Sequence, residues 1–194
     1  MSLRMASGKS GAEMSSINQS SWFRVETGIP LHPSDNQDLV RVSTALDPPH
    51  SVRKPDDEEY DVWLPQLAPQ VALQVMYEQE EIDCHELARR YRRDLSRSPE
   101  QCERLRAMAC DPGVILVNIA HPTQSCCATA LSRHLADLEC KRRWSEGLMI
   151  GGYVYPIRQE VMRAGGLWFA RHKAWMMPNR EAWQSIQSQL PGDF

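Results

Sequence analysis

The sequence predicts an α/β fold: a small, mostly parallel sheet with flanking helices, followed by a C-terminal β-α-β-β-α unit. Residues 114–120 form a continuous apolar run rich in β-branched side chains, which is typical of a strand covered on both faces. A helical pattern over 126–144 follows this run and completes a strand–loop–helix unit. Apolar and polar side chains alternate over residues 39–46, which are rich in β-forming residues, and this pattern predicts the first strand of the same sheet. We expect these two strands to be neighbours.

Three helices are predicted between the two strands, over 70–79, 83–95 and 98–110. Ser98 is a suitable cap for the third helix, and the Asp-Pro-Gly sequence at 111–113 is suited to end it. The proline-bearing, acidic stretch before the first helix predicts a loop.

The last part of the chain, 147–194, is predicted to be a separate basic, Trp-rich unit. Gly165 and Gly166 are a typical helix stop within it. Its elements are expected at 153–157 (strand), 159–164 (helix), 167–169 and 174–177 (hairpin) and 179–190 (helix).

Composition divides the rest of the chain into two parts. Residues 1–36 are rich in Ser, Gly, Asn and Gln and predict a flexible arm, on which Trp22, Phe23 and Val25 are expected to dock against the body. The body is expected to span 37–146. The chain has no apolar run near the ~18 residues that a membrane span requires, nor a basic-then-apolar leader. We therefore expect a cytoplasmic protein without a membrane partner.

The six cysteines have no regular spacing and no paired CxxC units. In an intracellular chain of this size, such a distribution predicts mostly reduced thiols and no disulfide scaffold.

Charge is distributed unevenly, although the net charge is only −3. Residues 47–86 carry eleven acidic and two basic side chains, whereas residues 141–180 carry eight basic and two acidic ones. The first segment should repel phosphate and the second should attract it.

Two phrases of the body resemble a known family. They are Tyr-Asp-Val-Trp-Leu-Pro-Gln-Leu-Ala-Pro at 60–69 and Leu-Ala-Arg-Arg-Tyr-Arg-Arg-Asp-Leu at 87–95, followed by the apolar strand. Over about 39–145 the chain is similar to the bacterial domain-of-unknown-function family numbered 488, which has a WL-x-x-LAP phrase and an F-x-x-x-Y-x-x-x-L helix. The resemblance implies a compact α/β body and no established activity. The chain departs from the family at 121–128, where His-Pro-Thr-Gln-Ser-Cys-Cys-Ala replaces a loop richer in Cys, His and Arg.

The end of the chain resembles, more loosely, modules of the form GG-x-W-(x)n-K-x-W-x-x-P that occur attached to phage and plasmid proteins handling DNA. The matching residues are Gly165, Gly166, Trp168, Lys173, Trp175 and Pro178.

Thiol chemistry is the first catalytic candidate. Cys126 and Cys127 follow a strand and begin a helix, His121 could act as a base, and Cys127 with Arg133 fits the Cys-x5-Arg spacing of phosphatase loops. The residues between them contain no glycine and predict a helix, so packing cysteines are the favoured interpretation. Zinc ligands two to four residues apart are absent from the sequence, and we predict no metal and no cofactor.

The C-terminal unit carries the favoured functional hypothesis, a nucleic-acid-associated accessory protein of bacterial, phage or plasmid type that contacts DNA or RNA. One or two of its tryptophans are expected in the core, but the charged hairpin turn is expected at the surface. The alternatives are a protein-interaction subunit or inhibitor that uses the acidic segment and the tryptophans, and a thiol enzyme centred on Cys127. The predicted nucleic-acid contacts are Arg158, Arg163, Trp168, Arg171, His172, Lys173 and Trp175.

Overall fold

The computed structural model describes residues 22–28, 38–46, 60–117, 122–152 and 154–190. These residues form two sheets and six α-helices. The larger sheet is parallel, with strand order β1-β4-β2-β3, and the smaller is antiparallel, with order β5-β7-β6. The strands are β1 (Val25–Gly28), β2 (Val40–Ser43), β3 (Val62–Trp63), β4 (Val114–Val117), β5 (Met149–Ile150), β6 (Leu167–Phe169) and β7 (Ala174–Met176). The helices are α1 (Val71–Glu78), α2 (Cys84–Leu95), α3 (Pro99–Cys110), α4 (Pro122–Ser145), α5 (Arg158–Arg163) and α6 (Arg180–Gln187).

The apolar run at 114–117 forms the inner strand β4, and all four of its residues are buried. Val114 pairs with Val25 of β1 on one side and with Val40 of β2 on the other. The prediction that the two most strand-like segments are neighbours is therefore confirmed, as is the α/β fold class. Burial on both faces explains why the run shows no alternation.

Strand β1 corrects one part of the predicted flexible arm, because residues 25–28 lie in the main sheet. The division into arm, body and C-terminal unit otherwise stays a prediction. Phe23 and Val25 pack against the core, and Trp22 Nε1 donates a hydrogen bond of 2.8 Å to the Gly165 carbonyl. The docking expected for these side chains is thus observed. The physical reason for the correction is pairing: Val-Glu-Thr-Gly has little apolar surface of its own, and β4 supplies its hydrogen-bond partners. The rest of the predicted arm lies outside the described residues.

The main core lies between α2, α4 and the parallel sheet. Leu87, Tyr91 and Leu95 recur every four residues on one face of α2 and are fully or almost fully buried. Leu131 and Leu135 do the same on α4. The Tyr91 hydroxyl donates a 2.5 Å hydrogen bond to the Leu67 carbonyl, so this contact ties α2 to the 60–69 phrase.

The C-terminal unit has its own core, and the order β-α-β-β-α is confirmed. Over its described residues, 154–157, the predicted strand is wrong: the strand is β5 (Met149–Ile150), and Tyr155–Ile157 form a 3-10 turn. Tyr153 lies outside the described residues. Pro156 explains the difference, since it has no N–H for a ladder and its fixed φ suits the first positions of a helical turn. The core residues of this unit are Ile150, Val154, Val161, Trp175, Met177 and Ile186.

A buried ion network joins α3, α4 and the C-terminal unit. Glu139 is fully buried, and its carboxylate accepts hydrogen bonds from Arg106, Arg142 and Arg143. Arg143 also donates to the Pro178 carbonyl and lies 4.2 Å from the centre of the Trp22 ring. The cations at the end of α4 therefore have a structural role beyond complementing the helix dipole.

Among the helices that the structure describes, none is both long and apolar enough to cross a membrane. The cytoplasmic location stays a prediction.

Candidate functional sites

A cavity of about 370 Å³ opens beside the C-terminal hairpin, and we call it the aromatic cavity. Trp168 and Trp175 are paired across β6 and β7, with ring centroids 5.4 Å apart and planes inclined by 56°. Trp175 is 6% exposed and belongs to the core, whereas Trp168 is 49% exposed and Tyr155 is 72% exposed. The cavity is lined by Gly152, Val154, Tyr155, Arg158, Trp168 and Trp175.

This geometry provides a flat apolar surface with a cation at its edge. Trp175 supports Trp168 from the core side, which leaves the other part of the Trp168 ring open to solvent. Arg158 is exposed and makes no ion pair with a described residue. Such a site can hold a planar ring by stacking while the guanidinium contacts an anion.

The predicted contact residues at the hairpin turn lie at the surface. Ala170–His172 form a 3-10 turn, and Lys173 follows it in the left-handed region with φ of 49°. Arg171 Nη1 lies 2.6 Å from Asp137 Oδ2 on α4, and the His172 ring stacks on Phe169 at 5.2 Å. The turn is thus docked on α4 through Arg171. Lys173, by contrast, makes no ion pair with a described residue.

The seven predicted nucleic-acid contacts therefore do not form one cluster. Arg158, Trp168 and Trp175 line the aromatic cavity, and the three turn residues lie on the hairpin. Arg163 is exposed on α5, 3.6 Å from Glu160 on the same helix, and does not line the cavity.

A second cavity, of about 610 Å³, lies between α2 and α4, and we call it the arginine-lined cavity. Arg89 is paired with Glu86 at 2.7 Å, and Arg92 with Asp137 at 2.5 Å. Arg133 makes no ion pair with a described residue. The residues that line the arginine-lined cavity are Cys84, His85, Ala88, Arg89, Arg92, Ser125, Cys126, Thr129, Ala130 and Arg133.

Cys84 and Cys126 form a disulfide in the wall of this cavity, with Cα atoms 5.9 Å apart. The expectation of no disulfide is therefore corrected for this pair, while Cys102, Cys110, Cys127 and Cys140 are free, in keeping with mostly reduced thiols. The correction arises from packing: α2 and α4 lie side by side and bring together residues that are 42 positions apart. Spacing along the sequence does not reveal such a pair.

Cys127 faces away from the cavity and into the core. It is 3% exposed, and burial raises the pKa of its thiol to about 12. A thiol with this pKa is protonated at neutral pH and is a poor nucleophile. Arg133 is exposed on the same helix, so Cys127 and Arg133 do not share a site, and His121 lies outside the described residues.

Groups of three or more His, Cys, Asp or Glu side chains arranged to hold a metal ion do not occur within the described ranges.

Comparison with protein families assigns the body. The family model DUF488-N3a, described as "Active DUF488-N3 subclade", matches residues 29–139, which is more than half of the chain. The chain belongs to the DUF488 family. No curated protein and no solved structure matched the chain.

In this DUF488 protein, the family match includes all the residues that line the arginine-lined cavity and ends before the C-terminal unit. The aromatic cavity is thus outside the matched region. The resemblance of the C-terminal unit to phage and plasmid modules, and any role with them, stays a prediction.

Sequence reasoning missed two parts of these sites. Tyr155 was assigned to a strand, although Pro156 directly after it favours a turn that leaves the tyrosine exposed. Arg89 and Arg92 belong to the same phrase as Tyr91, and their three-residue spacing places them close together on α2. That spacing could have identified a cationic helix face.

Proposed function

We propose that this DUF488 protein is an accessory protein that binds single-stranded nucleic acid, with a base stacked in the aromatic cavity. The observation that carries the proposal is Trp168, half exposed over the buried Trp175, with Tyr155 and Arg158 beside it. Stacking requires unpaired bases, so a single strand is the preferred ligand over a duplex.

The energetic argument rests on preorganisation. Trp168 is already held against Trp175 at 5.4 Å, so stacking a base on it requires little further ordering of the side chain. Each base stacked on an aromatic side chain contributes about 1 to 3 kcal/mol. Loss of Trp168 should therefore weaken binding by about five- to 150-fold.

The charge argument predicts few phosphate contacts. Arg142 and Arg143 are held by Glu139, and Arg171 is held by Asp137. Arg158 and Lys173 make no ion pair with a described residue and are the side chains best placed for phosphate. Each phosphate contact to a single strand contributes about 0.7 to the slope of log affinity against log salt, so a shallow slope is expected.

The test is fluorescence anisotropy with a labelled single strand of about 20 nucleotides, as DNA and as RNA, and with the matching duplex, over a range of salt concentrations. Trp168→Ala and Tyr155→Ala should weaken single-strand binding and leave the salt slope unchanged. Arg158→Ala should lower the slope by about 0.7. Replacing Arg171, His172 and Lys173 together by Ala should lower it by about 0.7 to 1.4, the smaller value applying if Asp137 retains Arg171.

Two matched variants control for loss of an exposed tryptophan or arginine elsewhere. Trp144 is 64% exposed on α4 and Arg104 is exposed on α3, and neither lines the aromatic cavity. Trp144→Ala and Arg104→Ala should bind as the unaltered protein does. If the unaltered protein shows no salt-sensitive binding to any of the three probes at low ionic strength, the proposal is wrong. The interaction subunit, with Trp168 as the anchor for a protein partner, then becomes the leading hypothesis.

A further inference from the structure

We infer that the Cys84–Cys126 disulfide is a thiol–disulfide exchange site whose surrounding arginines select anionic thiols. This inference is independent of nucleic-acid binding, because the pair lies in the arginine-lined cavity and not in the aromatic one.

The disulfide is accessible from solvent. Cys84 is exposed, Cys126 is half-buried, and both line an open cavity of about 610 Å³. A small thiol can therefore reach the Cys84 sulfur, whereas the free Cys102 and Cys127 are buried in the core. Access is a requirement that a purely structural cross-link does not need to meet.

The cavity attracts negative charge. Its described lining carries three arginines and His85 and includes no acidic side chain. The carboxylates paired with these arginines are those of Glu86, which also pairs with Arg90, and Asp137, which also pairs with Arg171. A third carboxylate, that of the α2 cap Asp83, directly precedes Cys84. Five arginines around three carboxylates leave an excess of two positive charges. A cleft lined by one sign of charge raises the rate of association of the opposite sign by about tenfold or more.

The surroundings of Cys126 favour it as the leaving group. It is half-buried whereas Cys84 is exposed, so an incoming thiolate reaches Cys84 first, and the Tyr77 Oη is 4.0 Å from the Cys126 sulfur. Cys84 is the first residue of α2, directly after the Asp83 cap. A thiolate leaving on Cys84 would adjoin the Asp83 carboxylate, whereas one leaving on Cys126 faces the Tyr77 hydroxyl and the arginines of the cavity wall.

The exchange proceeds in two balanced steps. The thiolate of a small thiol that carries a second, anionic group attacks Cys84 Sγ and forms a mixed disulfide. The electron pair of the broken S–S bond leaves on Cys126 Sγ. A second thiolate attacks the sulfur of the first thiol, which releases the small-molecule disulfide and the Cys84 thiolate. The two thiols each supply a proton, so two thiols are oxidised and the protein disulfide is reduced to a dithiol.

The test compares the rates at which three small thiols reduce the oxidised full-length chain. The probes are 3-mercaptopropionate (anionic), 2-mercaptoethanol (neutral) and cysteamine (cationic), with each rate divided by the thiolate fraction and corrected for intrinsic nucleophilicity. Alkylation and peptide mass mapping measure how fast the Cys84–Cys126 disulfide is lost. At low ionic strength the anionic thiol should react about tenfold faster than the cationic one, and added salt should reduce this ratio.

Arg133→Gln should reduce the ratio of the anionic-thiol rate to the cationic-thiol rate at least about threefold, because it removes a full positive charge from the cavity wall. Arg104→Gln, which changes an exposed side chain of α3 outside the cavity lining, should leave the preference for the anionic thiol unchanged. The inference is overturned if mass mapping of the oxidised chain finds no Cys84–Cys126 peptide. It is equally overturned if the cationic thiol reacts as fast as the anionic one, or if Arg133→Gln has no effect on the ratio.

Discussion

Removal of Glu139 should uncouple the body from the C-terminal unit and destabilise the chain. Its carboxylate is fully buried; Oε1 accepts from Arg143 Nε at 2.6 Å and from Arg142 Nη2 at 2.7 Å, and Oε2 accepts from Arg106. The side chains of Arg106 and Arg143 are only 9% and 8% exposed. Glu139→Ala would leave both guanidinium groups buried without this counter-charge.

The magnitude follows from two independent estimates. Breaking a buried pair by removing one partner usually lowers the free energy of unfolding by about 3 to 5 kcal/mol. The second estimate comes from the pKa of Glu139: burial alone would raise it, but the hydrogen bonds from Arg142 and Arg143 lower it from 4.5 to about 2. That difference corresponds to about 3 kcal/mol, since each tenfold change in an equilibrium constant is worth about 1.4 kcal/mol.

The pKa also fixes the pH dependence. Because the pKa is lower in the folded chain than in the unfolded one, the stabilisation is fully present above about pH 4.5 and is lost as the pH falls towards 2. The difference between the unaltered protein and Glu139→Gln should therefore be constant from pH 7 to about 5 and should narrow steadily below that range.

The assay is urea unfolding followed by far-UV circular dichroism at several pH values, with Glu146→Ala as the matched control. Glu146 is 40% exposed and pairs with the same Arg142 at 2.6 Å, so its removal should lower the free energy of unfolding by less than about 1 kcal/mol. A loss of less than about 1 kcal/mol in Glu139→Ala, or a Glu139→Gln difference that does not narrow in acid, would refute the reasoning.

Two further predictions concern the body. Gly113→Ala should lower the free energy of unfolding by several kcal/mol in urea titrations, because Gly113 has φ of +107° and an added Cβ would lie 2.6 Å from Leu39 and 2.9 Å from Arg24. A loss near zero would show that β2 and the segment before β1 can move apart. Cys127→Ser should lower the free energy of unfolding by about 1 to 3 kcal/mol, since a hydroxyl replaces a buried thiol. It should leave the proposed nucleic-acid binding and thiol exchange unchanged. Fast, selective alkylation of Cys127 at neutral pH in the folded chain would contradict its burial and revive the enzyme hypothesis.

Local patterns predicted the elements whose own residues decide their structure. The run at 114–117 is apolar enough to require burial on both faces, and Leu87, Tyr91 and Leu95 mark one face of a helix without reference to any neighbour. The last predicted helix, 179–190, begins where Asn179 caps α6 by accepting a 2.8 Å hydrogen bond from the Ala182 N–H. These features depend on short-range physics that the sequence records directly.

The elements that were missed depend on partners far away in the chain. Strand β1 has a mixed composition and exists because β4 pairs with it. The two-residue strand β5 is defined by its register with β7, not by its own pattern. The Cys84–Cys126 pair requires α2 to pack on α4, and no spacing rule anticipates a contact across 42 residues.

The charge distribution was likewise predicted only in part, because some of the cations are paired with carboxylates that the sequence pattern did not associate with them. The excess of positive charge over 141–180 predicted a phosphate-attracting surface, but a window count omits Glu139 and Asp137, which lie just before it. Those two carboxylates hold Arg142, Arg143 and Arg171. The cations of the C-terminal unit that lack an ion pair to a described residue are consequently fewer than the count implies, so under the proposed function the aromatic cavity should supply most of the affinity for nucleic acid. Binding that falls steeply with salt but is insensitive to Trp168 would reverse this order and assign recognition to the charged surface.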